Sequence, residues 1–235
     1  MLSDVNGTVF LFDVDNTLLD NDQFKDDLRK RLLADFGLPT SERYWSAYDA
    51  LRDRLGYVDY IGALQSFGRG LDSGPELLSM SSFLLDYRFT ELVYPRALDA
   101  IRHVRTLGTP AILSDGELVF QPRKIQRSGI FDAVEGRVMI TLHKEQSLPA
   151  MRERFPASHY VMVDDKPQLL AAMKKVLGKA MTTVFVRQGH YAAESAGLVI
   201  EPPPDRTIER IGDLCDRDLN WFHANTRITA NDAEY

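Results

Sequence analysis

Short apolar runs that end in acids or hydroxyls punctuate this chain, and helical periodicities fill the intervals between them. The first run, Val-Phe-Leu-Phe-Asp-Val at 9–14, is continuous rather than alternating. That pattern predicts a strand buried on both faces, the kind a parallel sheet uses. The same arrangement recurs downstream. Ala111-Ile112-Leu113 leads into Ser114-Asp115-Gly116, Tyr160-Val161-Met162-Val163 into Asp164-Asp165, and Thr183-Val184-Phe185-Val186 into Arg187-Gln188-Gly189. Leu198-Val199-Ile200 predicts a weaker last strand. Between the runs, Ala97, Ile101, Val104 and Leu107 fit a helix closed by Gly108. Leu148, Met151 and Phe155 fit a second, and Leu169, Met173, Val176 and Leu177 a third, closed by Gly178. Strands alternating with helices of this length predict an α/β fold with a parallel sheet. In such sheets ligands bind at the carboxyl ends of the strands, where these polar residues fall.

Residues 21–89 break the rhythm. Phe24, Leu28, Leu32 and Phe36 recur every four residues before Gly37 and Pro39. Tyr44, Tyr48, Leu51 and Leu55 make a second helix closed by Gly56, Val58, Ile61 and Leu64 suggest a third, and Pro75 opens a fourth carrying Leu77, Met80, Leu84 and Tyr87. An all-helical block after the first strand predicts a separate small subdomain. The expected division is a core of residues 1–20 and 90–220, a helical block at 21–89, and a loose polar tail at 221–235.

Composition narrows the partners. The 235 residues are 44% hydrophobic and 26% charged, an ordinary globular balance, with a net charge of -6 that disfavours nucleic acid and anionic membrane. Cys215 is the only cysteine, so neither an internal disulfide nor a cysteine zinc site is possible. With no signal-like N-terminus and no apolar run near the length of a membrane span, a cytoplasmic setting is expected. Oligomeric state is left open.

Asp13-Val14-Asp15-Asn16-Thr17-Leu18 carries the strongest chemical signal. Two carboxylates two residues apart, just past a buried strand, raise each other's pKa unless a cation neutralises them. A calcium loop counted from Asp13 wants Gly at its sixth place and Glu at its twelfth. Leu18 and Phe24 stand there, which excludes it. A solvated acidic turn and a metal site with a nucleophile remain.

The stretch resembles the first motif of the haloacid dehalogenase (HAD) superfamily, Asp-x-Asp-x-Thr-Leu, and three further segments follow in that family's order. Ser114-Asp115-Gly116 is similar to the second motif, Lys144 within His143-Lys144-Glu145 to the third, and Asp164-Asp165 to the fourth in its paired-acid form. Departures are Asp115, where many members have Asn, and Lys-Glu, where many have Lys-Pro. The resemblance implies a Rossmann-like core with a helical cap over the active site. It implies Asp13 as nucleophile, Asp15 as general acid and base, Lys144 as the cation beside them, and Ser114, Asp115 and Gly116 around the phosphate. Mg2+ would be held by Asp13, the Asp15 carbonyl, Asp165 and, directly or through a neighbour, Asp164. The activity implied is hydrolysis of a small phosphorylated metabolite. A sugar-phosphate phosphomutase, a metal-free 2-haloacid dehalogenase and a non-catalytic binding protein are the alternatives, and Asp15 disfavours the dehalogenase.

Outside the motifs, Lys124 falls within an expected helix and competes poorly for the place of Lys144. His103, His143, His159, His190 and His223 are scattered and read as surface or packing residues. Among Arg43, Tyr44, Trp45, Tyr48, Arg52, Arg54, Tyr57 and Tyr60, most aromatics are expected in the block's own core and most arginines in solvent. One of each could face the cleft.

Overall fold

A computed structural model describes residues 7–68 and 74–223. Six parallel strands form one sheet: β1 (Thr8–Phe12), β2 (Thr109–Asp115), β3 (Val138–Thr141), β4 (His159–Asp164), β5 (Met181–Val186) and β6 (Arg206–Ile208), in the order β3-β2-β1-β4-β5-β6. The Asp13 strand is therefore central, between the strands that end at Ser114 and Asp164. Phe12 lies beside Ile112 on one side and Val163 on the other. Every residue of β1 and of β5 is buried, as the unbroken apolar runs require.

The helices are α1 (Asn21–Phe36), α2 (Leu38–Leu55), α3 (Tyr60–Gly68), α4 (Pro75–Asp86), α5 (Ala97–Val104), α6 (Phe120–Arg127), α7 (Ile130–Ala133), α8 (Leu148–Arg154), α9 (Pro167–Leu177), α10 (Gly189–Glu194) and α11 (Leu219–His223). Helices α1 to α4 form one insert between β1 and β2. Asp20 caps α1, its carboxylate accepting from the Gln23 amide at 2.9 Å, and the Gly37 amide closes the helix onto the Leu33 carbonyl. The two strands of chain that join insert and core run side by side. Leu19 and Val93 form an antiparallel bridge, with the Asp20 amide on the Leu92 carbonyl and the Tyr94 amide on the Leu18 carbonyl. Phe24 of α1 packs against Phe120 of α6 at 5.3 Å between centroids, so insert and core share one apolar cluster. The arginine and aromatic run divides as its periodicity suggests: Tyr44, Tyr48 and Tyr60 are buried, while Arg43 and Arg54 are exposed.

Four details differ from the sequence expectations. Leu198-Val199-Ile200 is not a strand; Val199 is 93% exposed, and the prolines at 202–204 cannot donate to a ladder. The last strand is Arg206–Ile208 instead. The edge strand β3 was not foreseen, its four residues being only half-buried. The helix opened by Ala97 ends at Val104, and Leu107 lies in a turn that reaches Gly108. The segment assigned to a loose tail begins in α11, where Phe222 is fully buried edge-on to Phe10 at 4.8 Å. Residues 224–235 lie outside the described residues. No helix among the described residues is long and apolar enough to cross a membrane.

Candidate active site

Beyond Phe12 the chain leaves the sheet in a tight loop. The Asp13 amide still pairs with the Val163 carbonyl at 3.0 Å, and the Val14 carbonyl accepts from the amides of Leu18 and Leu19. Asn16 takes a positive φ of 57° to make this turn, a conformation Asn tolerates better than most residues. Its side-chain Oδ1 accepts from the backbone amides of Asn21 and Asp22, and its Nδ2 donates to Asp22 Oδ1. The effect is to hold Asp13 and Asp15 at the mouth of the sheet and to start α1 directly behind them.

Asp13, Asp164 and Asp165 meet there. All three are buried, and one carboxylate oxygen from each lies within 4.8 Å of the others. Lys144, on a short turn after β3, is also fully buried. It donates to Asp13 Oδ1 at 2.5 Å and to Asp164 Oδ2 at 2.8 Å. Burial works against its charge, but Asp13, Asp164 and Asp115 outweigh burial and hold the ammonium well above its ordinary pKa. Lys166 behaves likewise, burial being overcome by Asp13, Asp164 and Asp165. The acids are strained in the other sense. Burial first, then Asp164 and Asp13, drives the Asp165 carboxyl far up, and burial also raises Asp164 despite Lys144. Asp13 Oδ2 and both oxygens of Asp165 are buried without a hydrogen-bond partner.

Ser114 and Asp115 end β2. The Ser114 hydroxyl donates to Asp13 Oδ1 at 3.3 Å and accepts from Gln121 Nε2 at 2.9 Å. Burial lifts the Asp115 carboxyl to about 6, and its Oδ1 is buried and unpartnered. Gly116 plays a different part from the expected one. Its amide is used on the Thr141 carbonyl at 3.0 Å, extending the β2–β3 pairing, and is not available to a phosphate. What matters is its missing side chain: a Cβ there would lie 2.9 Å from Gln121 Cβ and Cγ. Gly116 thus lets α6 approach the site.

Residues that the sequence left unassigned complete the cluster. Lys124, a poor rival to Lys144 by sequence, is fully buried and reaches Asp15, not Asp13: Nζ to Asp15 Oδ1 is 2.6 Å. Gln121 lies 3.5 Å from Asp15 Oδ2. His190 also sits close by, its ring nitrogen 2.6 Å from Asp22 Oδ1 and 3.3 Å from Asn16. Gly189 makes room for this, since a Cβ on it would lie 2.4 Å from that of Asn16. The signal that could have found Gln121 and Lys124 is their position. They share the inward face of α6 with Phe120 and Ile125, two polar residues where a helix ordinarily places apolar ones.

A parallel sheet with carboxylates at the ends of β1 and β4, a hydroxyl at the end of β2 and a buried lysine among them gathers the polar groups of a candidate hydrolase site at one sheet edge. The chain belongs to the haloacid dehalogenase-like hydrolases: a family model of that description matches residues 8–176. A haloacid dehalogenase-like hydrolase from Burkholderia xenovorans is 55% identical, with a TM-score of 0.85 over 91% of this chain and 99% of that one. A HAD-type hydrolase from Bacillus subtilis, bound to magnesium, shares the fold at 16% identity and a TM-score of 0.61, over 89% of this chain and 97% of that one. A 2-haloacid dehalogenase from Pseudomonas syringae does so at 15% identity and 0.61, over 88% and 96%. No curated protein matches the chain.

Proposed function

We propose that the protein is a magnesium-dependent phosphatase of small phosphate monoesters, working through an aspartyl-phosphate on Asp13. The second acid carries this reading. Asp15 stands two residues beyond Asp13, and Gln121 links its carboxylate to Ser114. Cleaving a phosphate ester produces an alkoxide that needs a proton, whereas expelling halide from carbon does not. A 2-haloacid dehalogenase has no such use for Asp15.

The donor set fits a hard divalent cation. Asp13 Oδ2 and the two Asp165 oxygens are buried, unpartnered and all oxygen, the ligand type magnesium prefers. Asp165, with both oxygens unpaired, is favoured as a direct ligand. Asp164 already accepts from Lys144 at Oδ2 and from the Lys166 amide at Oδ1, and serves mainly to hold its neighbours. The backbone carbonyl of Asp15 would complete the protein's share. When bound, magnesium would neutralise the acids and draw charge from the phosphoryl oxygens.

The chain's own groups then divide the work. An Asp13 oxygen attacks phosphorus, forming the Asp13–phosphorus bond as the ester oxygen leaves. Asp15, entering this step as the protonated acid, delivers that proton to the leaving oxygen and is left as the carboxylate. It next removes a proton from water, which attacks phosphorus, releases phosphate and restores Asp13. Lys144 and the Ser114 hydroxyl hold the equatorial oxygens as charge shifts. Asp115 can join them only as the protonated acid, because its carboxylate would repel the phosphate.

The test is phosphate release from a panel of phosphorylated metabolites, with magnesium and with EDTA. Turnover should require magnesium and yield inorganic phosphate. Full activity in chelator, halide release from 2-haloacids, or phosphate handed back to a sugar without reaching water would each replace this reading.

A further inference from the structure

Lys124 has no role in the reaction just described, yet its ammonium is completely buried. Lysine accepts that placement only with partners, because desolvating the charge costs several kcal/mol. The partners come from three parts of the chain. Asp15 Oδ1 accepts at 2.6 Å and Asn21 Oδ1, at the first residue of the insert, accepts at 3.0 Å. The rings of Phe120 and Tyr60 stand 5.1 and 5.9 Å from Nζ, within the range of cation–π attraction. Asn21 Nδ2 in turn donates to the Tyr60 hydroxyl at 3.4 Å. One turn earlier on the same face of α6, Gln121 approaches the other Asp15 oxygen and binds Ser114.

A methionine would fill the space of Lys124 without the desolvation cost, so packing does not require the charge. What the charge supplies is direction. The Asp15 side chain is 27% exposed, and without a cation beside it its carboxylate is free to turn toward water. We infer that Lys124 is the positioning residue of Asp15, fixing its carboxylate beside Ser114, and that it does so only while Asn21 and Tyr60 of the insert are seated against it. The seating of the insert and the aim of the proton carrier are then one event. This inference rests on the phosphatase reading for its catalytic meaning, not for its geometry.

The test pairs Lys124→Met with Lys124→Arg and Asn21→Ala, assayed with magnesium on p-nitrophenyl phosphate and on glycerol phosphate. Lys124→Met should lose about 10²-fold in kcat on glycerol phosphate, whose leaving oxygen needs the proton, with little change in KM. Formation of the aspartyl-phosphate from p-nitrophenyl phosphate should fall far less. Lys124→Arg should recover part of the loss. In an Asp15→Asn background, Lys124→Met should cost less than about 3-fold more, because both changes remove one function. Equal losses on the two esters, or the full loss repeated in the Asp15→Asn background, would overturn the inference. If Lys124→Met does not fold, Asn21→Ala decides: it should show a smaller loss with the same leaving-group dependence, and no such dependence overturns the proposal. A crystal structure of Lys124→Met reads the geometry without any activity. Asp15 should have swung away from Gln121 while Asp13, Ser114 and Lys144 stay in place; an unmoved Asp15 overturns the inference. Should the parent protein hydrolyse no phosphate ester, the phosphatase reading fails, and a displaced Asp15 in that structure still upholds Lys124 as its anchor.

Discussion

Two buried lysines sit at the same end of the sheet and solve opposite problems. Lys144 lies among Asp13, Asp164 and Asp165 and binds only the first two, leaving three buried carboxylate oxygens unsatisfied. Lys124 faces one carboxylate, one amide oxygen and two aromatic rings, and every one of its neighbours is matched. The first pocket is electrostatically incomplete and would gain from a cation. The second is complete and has nothing to gain by binding anything. The contrast teaches that a buried lysine does not announce its role: the oxygens left over around it do.

The largest expected effect breaks the first pocket at its centre. Asp13→Asn should abolish turnover, because an amide is no nucleophile toward phosphorus, while its similar shape keeps the fold. Acid-quenched mass spectrometry of the parent should find phosphate on Asp13, and phosphate on Ser114 or a histidine would refute the assignment. Next in size, Asp15→Asn tests the second pocket. Loss of general acid–base help typically costs about 10²–10⁴-fold. With p-nitrophenyl phosphate, whose leaving group needs little protonation, the aspartyl-phosphate should accumulate, since its hydrolysis still needs a base. No accumulation in a rapid quench would argue that Asp15 is not that base.

A smaller effect separates the pockets by heat. Magnesium at about 100 times its Kd should stabilise the parent by about 2.7 kcal/mol, a rise of about 5–10 °C in Tm for a chain of this size. Asp165→Ala should lose most of that rise, while its Tm without metal should not fall, because the change removes a repelled acid. Lys124→Met should keep the magnesium-dependent rise, since its pocket has no vacant oxygens. A variant of Lys124 that no longer responds to magnesium would collapse the distinction. The smallest effect concerns Asp115. Its folded pKa of about 6 lies above the ordinary carboxyl value of 3.8, so the folded state binds more protons between these values. Stability should therefore fall as pH rises from about 4 to about 6, and the penalty should remain in full above that. Asp115→Asn, measured in chelator, should raise Tm at pH 8 and leave it nearly unchanged at pH 4. An equal shift at both pH values would mean that the carboxyl does not titrate in this window.

The chemistry of the first pocket was easier to read from sequence than that of the second. Asp13, Ser114, Asp164 and Asp165 each close an apolar run, and a strand buried on both faces leaves an unmistakable pattern. Lys144 follows from its place in the motif order. Lys124 and Gln121 were missed because helical patterning sends polar residues to solvent, and nothing local says that this face of α6 looks into a site. Strand β3 was missed because four half-buried residues at a sheet edge carry little pattern, and Leu198–Ile200 misled because an apolar run without neighbours to pair with is not a strand. The resemblance places Gly116 around the phosphate, but the steric demand on it, set by a residue five positions on, has no local sequence signal.

The bridge between Leu19 and Val93 has a consequence for how such a protein can change over time. Everything from residue 20 to residue 92 leaves and re-enters the core through that single rung. Closing a loop costs entropy that grows only with the logarithm of its length, so doubling the excursion adds about 0.6 kcal/mol. The entropy of closing the excursion is therefore almost indifferent to how much chain hangs from the doorway. A lineage could lengthen, shorten or exchange the hanging helices, and with them the molecules it recognises, provided that each new version again supplies an acceptor for Lys124 and an aromatic face to cover it.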